Sequence, residues 1–295
     1  MTHVATEIAS QPDCWRRATE LEPAGLPATG ERVAVVGCGT SLYIAQAYAV
    51  LREGSGQGET DAFAASEYPA ARRYDRLVAI TRSGTTTEVL DALARARAAG
   101  LATTALTGDL DTPVTGAADT VVDLSFADEK SVVQTRFATT ALVLLRSSLG
   151  LTPADLPEQA ALAAAEDLPA AALAAGQITF LGTGWTIGLA NEAALKLREA
   201  AGAWTESYPA MEYRHGPISI SAPGRLVWIF GQAPDGLLEQ IAATGATAVL
   251  SDLDPLADLV RAQRLAVALA EAQGLDPDQP RNLTRSIVLA QPTGA

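Results

Sequence analysis

The chain has 295 residues, 48% of them hydrophobic, a net charge of −13 and a pI near 4.6, enough apolar material for one large or two modest packed domains. The acidic balance excludes general nucleic-acid binding and adhesion to an anionic membrane surface, both of which need clustered basic residues; a small anionic ligand, held by a few local cations and helix N-termini, stays compatible. Two cysteines, Cys14 and Cys38, and two histidines, His3 and His215, are too few for a disulfide framework or a metal cluster, so no metal is expected and a reducing, cytoplasmic setting fits.

The opening MTHVATEIASQPDCWRRATE has neither a basic start before an apolar run nor a cleavage-site pattern, and no run of about 20 apolar residues follows, so neither secretion nor a membrane span is expected. Residues 3–21 read as an amphipathic helix broken at Gln11-Pro12, within a helical lead-in over 1–29. From Val33 the pattern becomes strand, turn, helix: an apolar run to Val36, then Gly37-Cys38-Gly39-Thr40-Ser41, then helical spacing. A second junction follows Leu77–Ile80 as Thr81-Arg82-Ser83-Gly84-Thr85-Thr86. Backbone N–H groups of Cys38, Gly39 and Thr40, the hydroxyls of Ser41, Thr81, Ser83 and Thr86, the Arg82 guanidinium and the flexible Gly84 together predict one anion cradle, with phosphate the common occupant. A dinucleotide is the poorer fit, because GCGTSL lacks the third glycine of that fingerprint and no GxxxxGK[ST] occurs.

Ala102–Gly108 and Thr120–Leu124 continue the alternation to about residue 150. Five short parallel strands are expected over 30–150, forming a doubly wound sheet. Residues 151–176, rich in Ala with Pro at both ends, read as a packed helical connector. The pattern then recurs over 177–295. Gly182 and Gly184 answer Gly37 and Gly39, Glu206–Ala210 answers Ser66–Ala70, Leu226–Ile229 answers Leu77–Ile80, and Ala246–Asp252 answers Ala102–Gly108. Four matches in one order, about 145 residues apart, predict two similar αβα sandwich subdomains.

The second half carries the acid/base candidates. Glu192, Lys196 and Glu199 are spaced by four and three, which places them on one helix face, and a cation beside a carboxylate favours its ionised, base-competent form. Such spacing usually marks solvated pairs, but the chain has only two lysines, Lys130 and Lys196, and otherwise uses arginine. His215 sits in RHGP, where Gly216 and Pro217 shape a rigid turn presenting a side chain suited to acid/base work near neutral pH.

GCGTS, ASEYP, SG.T, EAALKLRE, the YRHGP loop and the closing DQPRNLTRS occur in an order that resembles the sugar isomerase (SIS) family across nearly the whole chain, specifically the isomerase half of glucosamine-6-phosphate synthase and stand-alone amino-sugar phosphate relatives. The resemblance implies two flavodoxin-like subdomains. It implies phosphate ligands at Ser41, Thr81, Ser83 and Thr86, with Arg82 where the synthase has a neutral amide; Glu199 as the base that moves a proton between C1 and C2; Lys196 beside that base; and His215 as the ring-opening histidine, donated by the neighbouring subunit of a homodimer. Arg285 falls where the family has an imine-forming lysine, and a guanidinium is a poor nucleophile for that chemistry.

The expectation is an acid/base enzyme on a hexose 6-phosphate carrying an amino group, isomerising, deaminating or dehydrating it, without a cofactor and without a glutaminase domain. The rival expectation is a non-catalytic sugar-phosphate-sensing module, to which the intact acid/base residues are less suited.

Overall fold

The computed structural model describes residues 2–290. Two short helices open it, α1 (His3–Ala9) and α2 (Gln11–Thr19), and they part at Ser10 because Pro12 has no N–H with which to continue the ladder. The first sheet and its helices follow as β1 (Val33–Gly37), α3 (Thr40–Gly54), β2 (Thr60–Ala64), β3 (Arg76–Thr81), α4 (Thr87–Ala98), β4 (Ala102–Thr107), α5 (Val114–Ala117), β5 (Thr120–Asp123) and α6 (Arg136–Ser148). Then come α7 (Leu156–Ala165) and α8 (Ala170–Leu173). The second set is β6 (Gln177–Gly182), α9 (Thr186–Ala201), β7 (Thr205–Pro209), β8 (Arg225–Ile229), α10 (Leu237–Ala243), β9 (Thr247–Val249) and α11 (Pro255–Ala272). Among the described residues no helix is long and apolar enough to cross a membrane.

Both sheets are parallel throughout, ordered β2-β1-β3-β4-β5 and β7-β6-β8-β9. Central strands such as β1 are apolar and buried along their whole length, since helices cover both faces. In the first sheet the chain reverses direction between β1 and β3, and the crevice beyond their carboxyl ends is where an open α/β sheet takes a ligand. Both hydroxyl-rich turns open there.

The largest buried cluster draws on both halves: Val35, Val78 and Leu106 share it with Phe180, Trp228 and Leu259, and α3, α6, α9 and α11 contribute to it. Separate clusters back the other faces, Leu77 and Leu93 in the first half, Val227 and Ile241 in the second. Across the middle, Asn191 on α9 donates to Gln46 on α3 at 3.0 Å.

The repeat is real but its expected register is not. Gly37 pairs with Ala64 and Gly182 with Pro209, so β7 answers β2; Ser66–Ala70, the expected match, lies beyond β2. Val36 pairs with Ala79 and Leu181 with Ile229, which shifts the expected Leu77–Leu226 match by one residue. Leu77 indeed belongs to the outer cluster and Leu226 to the central one. A one-residue slip exchanges the faces of a strand, and a strand apolar on both faces hides the slip.

Candidate functional site

Gly37 ends β1 so close to α3 that a Cβ there would stand 2.6 Å from the Ser41 carbonyl carbon, and Gly39 follows with φ +55°. Only glycine permits both the close approach and the left-handed turn, and together they aim the N-terminus of α3 into the crevice. At the neighbouring turn Gly84 has φ +63° and donates its N–H to the Thr81 hydroxyl at 3.2 Å; a Cβ would meet Thr112. Thr86 caps α4 in extended conformation, but its hydroxyl makes no capping bond. It lies 3.5 Å from Ser83 Oγ, facing the same space.

Cys38, Gly39, Thr40, Ser41, Thr81, Arg82, Ser83, Thr86, Glu199 and Arg285 all line one cavity of about 190 Å³. Most of the residues singled out in the sequence thus converge, from both halves of the chain. Gly84 shapes the turn without lining the cavity. Lys196 stands behind the wall: only 1% exposed, it bonds Glu199 and lies 3.8 Å from Glu192, whose side chain is fully buried. Burial alone would depress the Lys196 pKa, but Glu192 and Glu199 outweigh it and hold the pKa above the ordinary value. Burial pushes Glu192 up to about 8 against the pull of Lys196. Helix α9 therefore presents one carboxylate to the cavity and keeps a cation and a protonatable acid at its back.

Three placements bear on the roles expected. The Arg82 guanidinium is engaged by the carbonyls of Ser131, Val132 and Arg285 and stands 3.5 Å from Glu129, and that of Arg285 is engaged by Asp128 and the Glu129 carbonyl. His215 is exposed in the turn Glu212–His215 and does not line the cavity with Glu199. Val132, Gln134, Leu283, Thr284, Ser286 and Ile287 are among the other wall residues; local spacing gave no sign of them, because they arrive from loops distant in sequence.

The equivalent turn of the second half spends its hydroxyl on internal bonds. Thr186, the counterpart of Ser41, donates its hydroxyl to the carbonyls of Thr183 at 3.0 Å and Phe230 at 3.1 Å, and Arg146, paired with Asp254, lies 4.9 Å over the Trp185 ring. A larger groove of about 510 Å³ near α1 and α11 is lined mainly by alanine and aliphatic side chains, with Arg264 and Glu271 as its charged groups. Volume alone does not pick out the site; convergent polar groups do. Among the described residues no group of three or more His, Cys, Asp or Glu side chains could hold a metal ion.

Residues 28–148 match the family model described as SIS domain. The chain is 30% identical to a glutamine–fructose-6-phosphate aminotransferase (isomerizing) of Symbiobacterium thermophilum, over 91% of this chain and 54% of that protein. It spans about half the length of the curated relatives it matches. Among solved structures, glucosamine-6-phosphate deaminase of Thermotoga maritima superposes with a TM-score of 0.80 at 24% identity, over 98% of this chain and 100% of that one. The C-terminal domain of glucosamine-fructose-6-phosphate aminotransferase of Francisella tularensis gives 0.78 at 19% identity, over 95% and 99%. At these identities the superpositions show a shared fold.

Proposed function

We propose that this chain, whose residues 28–148 match the SIS domain model, is an acid/base enzyme of that kind acting on an amino-sugar 6-phosphate, glucosamine or N-acetylglucosamine 6-phosphate. The observation that carries the reading is the single cavity in which Glu199 faces the hydroxyls of Ser41, Thr81, Ser83 and Thr86. The relatives' printed names, an isomerizing fructose-6-phosphate aminotransferase and a glucosamine-6-phosphate deaminase, agree with it.

The phosphate is met by these hydroxyls and by the N–H groups at the starts of α3 and α4, where the helix dipoles favour an anion. His215 of a second subunit assists opening of the ring. Glu199, held by Lys196, takes the C2 proton; the C2–H electron pair forms the C1–C2 double bond, and negative charge moves to O1. When the nitrogen is unsubstituted, return of the proton to C1 together with transfer of an N–H proton to O1 gives the C1 hydroxymethyl group and the C2 ketimine, and water converts this to ketose and ammonia. When the nitrogen is acetylated, the O1 charge reforms the C1 carbonyl, the C1–C2 pair becomes the C2–C3 double bond, and the 3-hydroxyl leaves as water with the proton that Glu199 holds, giving an unsaturated sugar instead. Both exits are proton transfers of a kind worth about 10²–10⁴-fold per positioned group.

Incubation of the protein with each phosphate in D₂O, followed by NMR for loss of the C2 proton signal and for ketose, ammonia and unsaturated product, tests the reading. Binding of both phosphates without C2 exchange or product would overturn it in favour of a sensing module.

A further inference from the structure

Arg82 sits between Thr81 and Ser83 in the phosphate turn, yet its guanidinium serves other partners. It donates to the carbonyls of Ser131 at 3.1 Å, Val132 at 3.2 Å and Arg285 at 3.1 Å. It also stands 3.5 Å from a carboxylate oxygen of Glu129, the two side chains being 4% and 0% exposed. The Glu129 carboxylate is fixed in turn by the N–H groups of Thr135 and Arg136 and by the Thr135 hydroxyl. Arg285 closes the circuit, its guanidinium donating to the Glu129 carbonyl and to Asp128 at 2.5 Å. Arg82 holds Arg285, Arg285 holds Glu129, and Glu129 faces Arg82.

The three segments joined in this way are three walls of one cavity: the phosphate turn, the loop with Val132 and Gln134, and the tail from Leu283 to Ile287. The far side of the tail is tied to the same turn, since Thr85 donates to the Ser286 hydroxyl at 2.9 Å and the Thr87 N–H to the Ile287 carbonyl at 3.2 Å. Charge-assisted bonds of this kind, shielded from water, are stronger than neutral ones and costly to leave half made.

We propose that Arg82 is a positioning residue that clasps the tail segment 283–287 to the phosphate turn, so that the tail wall stands assembled before the sugar phosphate arrives and responds when the turn is filled. A simple phosphate ligand would leave its guanidinium free toward the cavity; here every assigned contact of that group goes to the loop or the tail. The proposal rests on reading this cavity as the phosphate site. Its tether component is independent of any ligand.

Hydrogen exchange of residues 283–290 in the whole protein, with and without inorganic phosphate, tests it in the wild type, Arg82→Gln, Arg285→Ala and the double variant. Arg285 is a third exposed, so its variant is expected to fold even where a buried Arg82 substitution fails. Either substitution is expected to speed tail exchange about tenfold or more and to abolish the further slowing that phosphate produces. KM for the sugar phosphate is expected to rise about tenfold with kcat changed less, and the double variant to fall short of the product of the two single effects, because Arg82 holds the Arg285 carbonyl while the Arg285 guanidinium holds the loop that faces Arg82, so the bonds belong to one network. Unchanged tail exchange in a folded single variant, or effects that multiply in the double, would overturn the clasp. Failure of phosphate to protect the Thr81–Thr86 turn of the wild type would sink the site reading and the proposed response to filling; the tether is then decided by the ligand-free comparison.

Discussion

The Tyr43 carbonyl oxygen on α3 stands 2.5 Å from the place a Cβ at Gly188 on α9 would occupy, so the two helices meet backbone to backbone. Helix α3 begins at the phosphate turn and α9 carries Glu199, so this contact sets the span between anion cradle and base. Gly188→Ala is expected to cost about 1–3 kcal/mol by overpacking, read by denaturant unfolding, and to lower activity in the protein that remains folded. Gly116, with open space around its Cβ position, serves as the control. Equal stability of Gly188→Ala and wild type would show that the helices are free to shift.

Glu199→Gln keeps the shape of the side chain and removes its ability to accept a proton. Turnover is expected to fall by about 10²–10⁴-fold, while affinity for inorganic phosphate, measured by calorimetry, stays close to that of the wild type because the hydroxyl turns are untouched. Substantial residual C2 exchange would assign the base elsewhere.

Glu192 provides a pH test that needs no substrate. Burial pushes its carboxyl from the ordinary 4.5 up to about 8, with Glu199 adding to the shift and Lys196 opposing it. Between these values the native state keeps a proton that the unfolded chain has released, so this group's contribution to stability falls as pH rises through the window and levels off above it. In Glu192→Gln that contribution is gone. The stability of the variant relative to wild type, from denaturant curves, is therefore expected to improve steadily from pH 5 to pH 8.5; parallel curves would show that Glu192 does not titrate there.

The face shared by Glu192, Lys196 and Glu199 was legible in the sequence because helical spacing is local, and the two glycine turns because close approach at Gly37 and positive φ at Gly39 and Gly84 need that residue. Strand register was not legible. Both faces of β3 and β8 are apolar, so neighbouring alignments look alike until pairing decides. The edge strand β2, TDAFA, is half-exposed along most of its length, and the segment Ser66–Ala70 after it gives the closer match to Glu206–Ala210. The clasp was hidden for another reason: Arg82 meets Ser131 and Arg285 across separations of 49 and 203 residues, and no periodicity reports such contacts.

His215 is exposed and stands apart from the cavity that Glu199 lines, as a residue serving a second subunit's site would be. Mixing Glu199→Gln with His215→Ala under conditions that exchange subunits is expected to restore part of the activity, since one of the two sites in a mixed dimer would hold both native residues. Proven exchange with no recovery would place both residues in one chain's site.

Catalysis is expected to proceed without a covalent imine. Lys196 is buried between Glu192 and Glu199 with its pKa raised, so it is an ammonium, which has no lone pair to attack a carbonyl. Arg285, at the tail position where an imine-forming lysine would be sought, carries a guanidinium, a poor nucleophile toward a carbonyl, and bonds to Asp128 and Glu129. The open-chain aldehyde at C1 already acidifies the C2 proton, so removal by Glu199 needs no imine. Borohydride added during turnover is expected to trap no sugar on the protein. Arg285→Lys is expected to keep part of the activity, because an ammonium can replace some of the contacts to Asp128 and Glu129, with a larger effect on KM than on kcat. A reduced sugar adduct on Lys196, found by mass spectrometry in the wild type, would show that the ammonium releases its proton during the reaction and would overturn this mechanism.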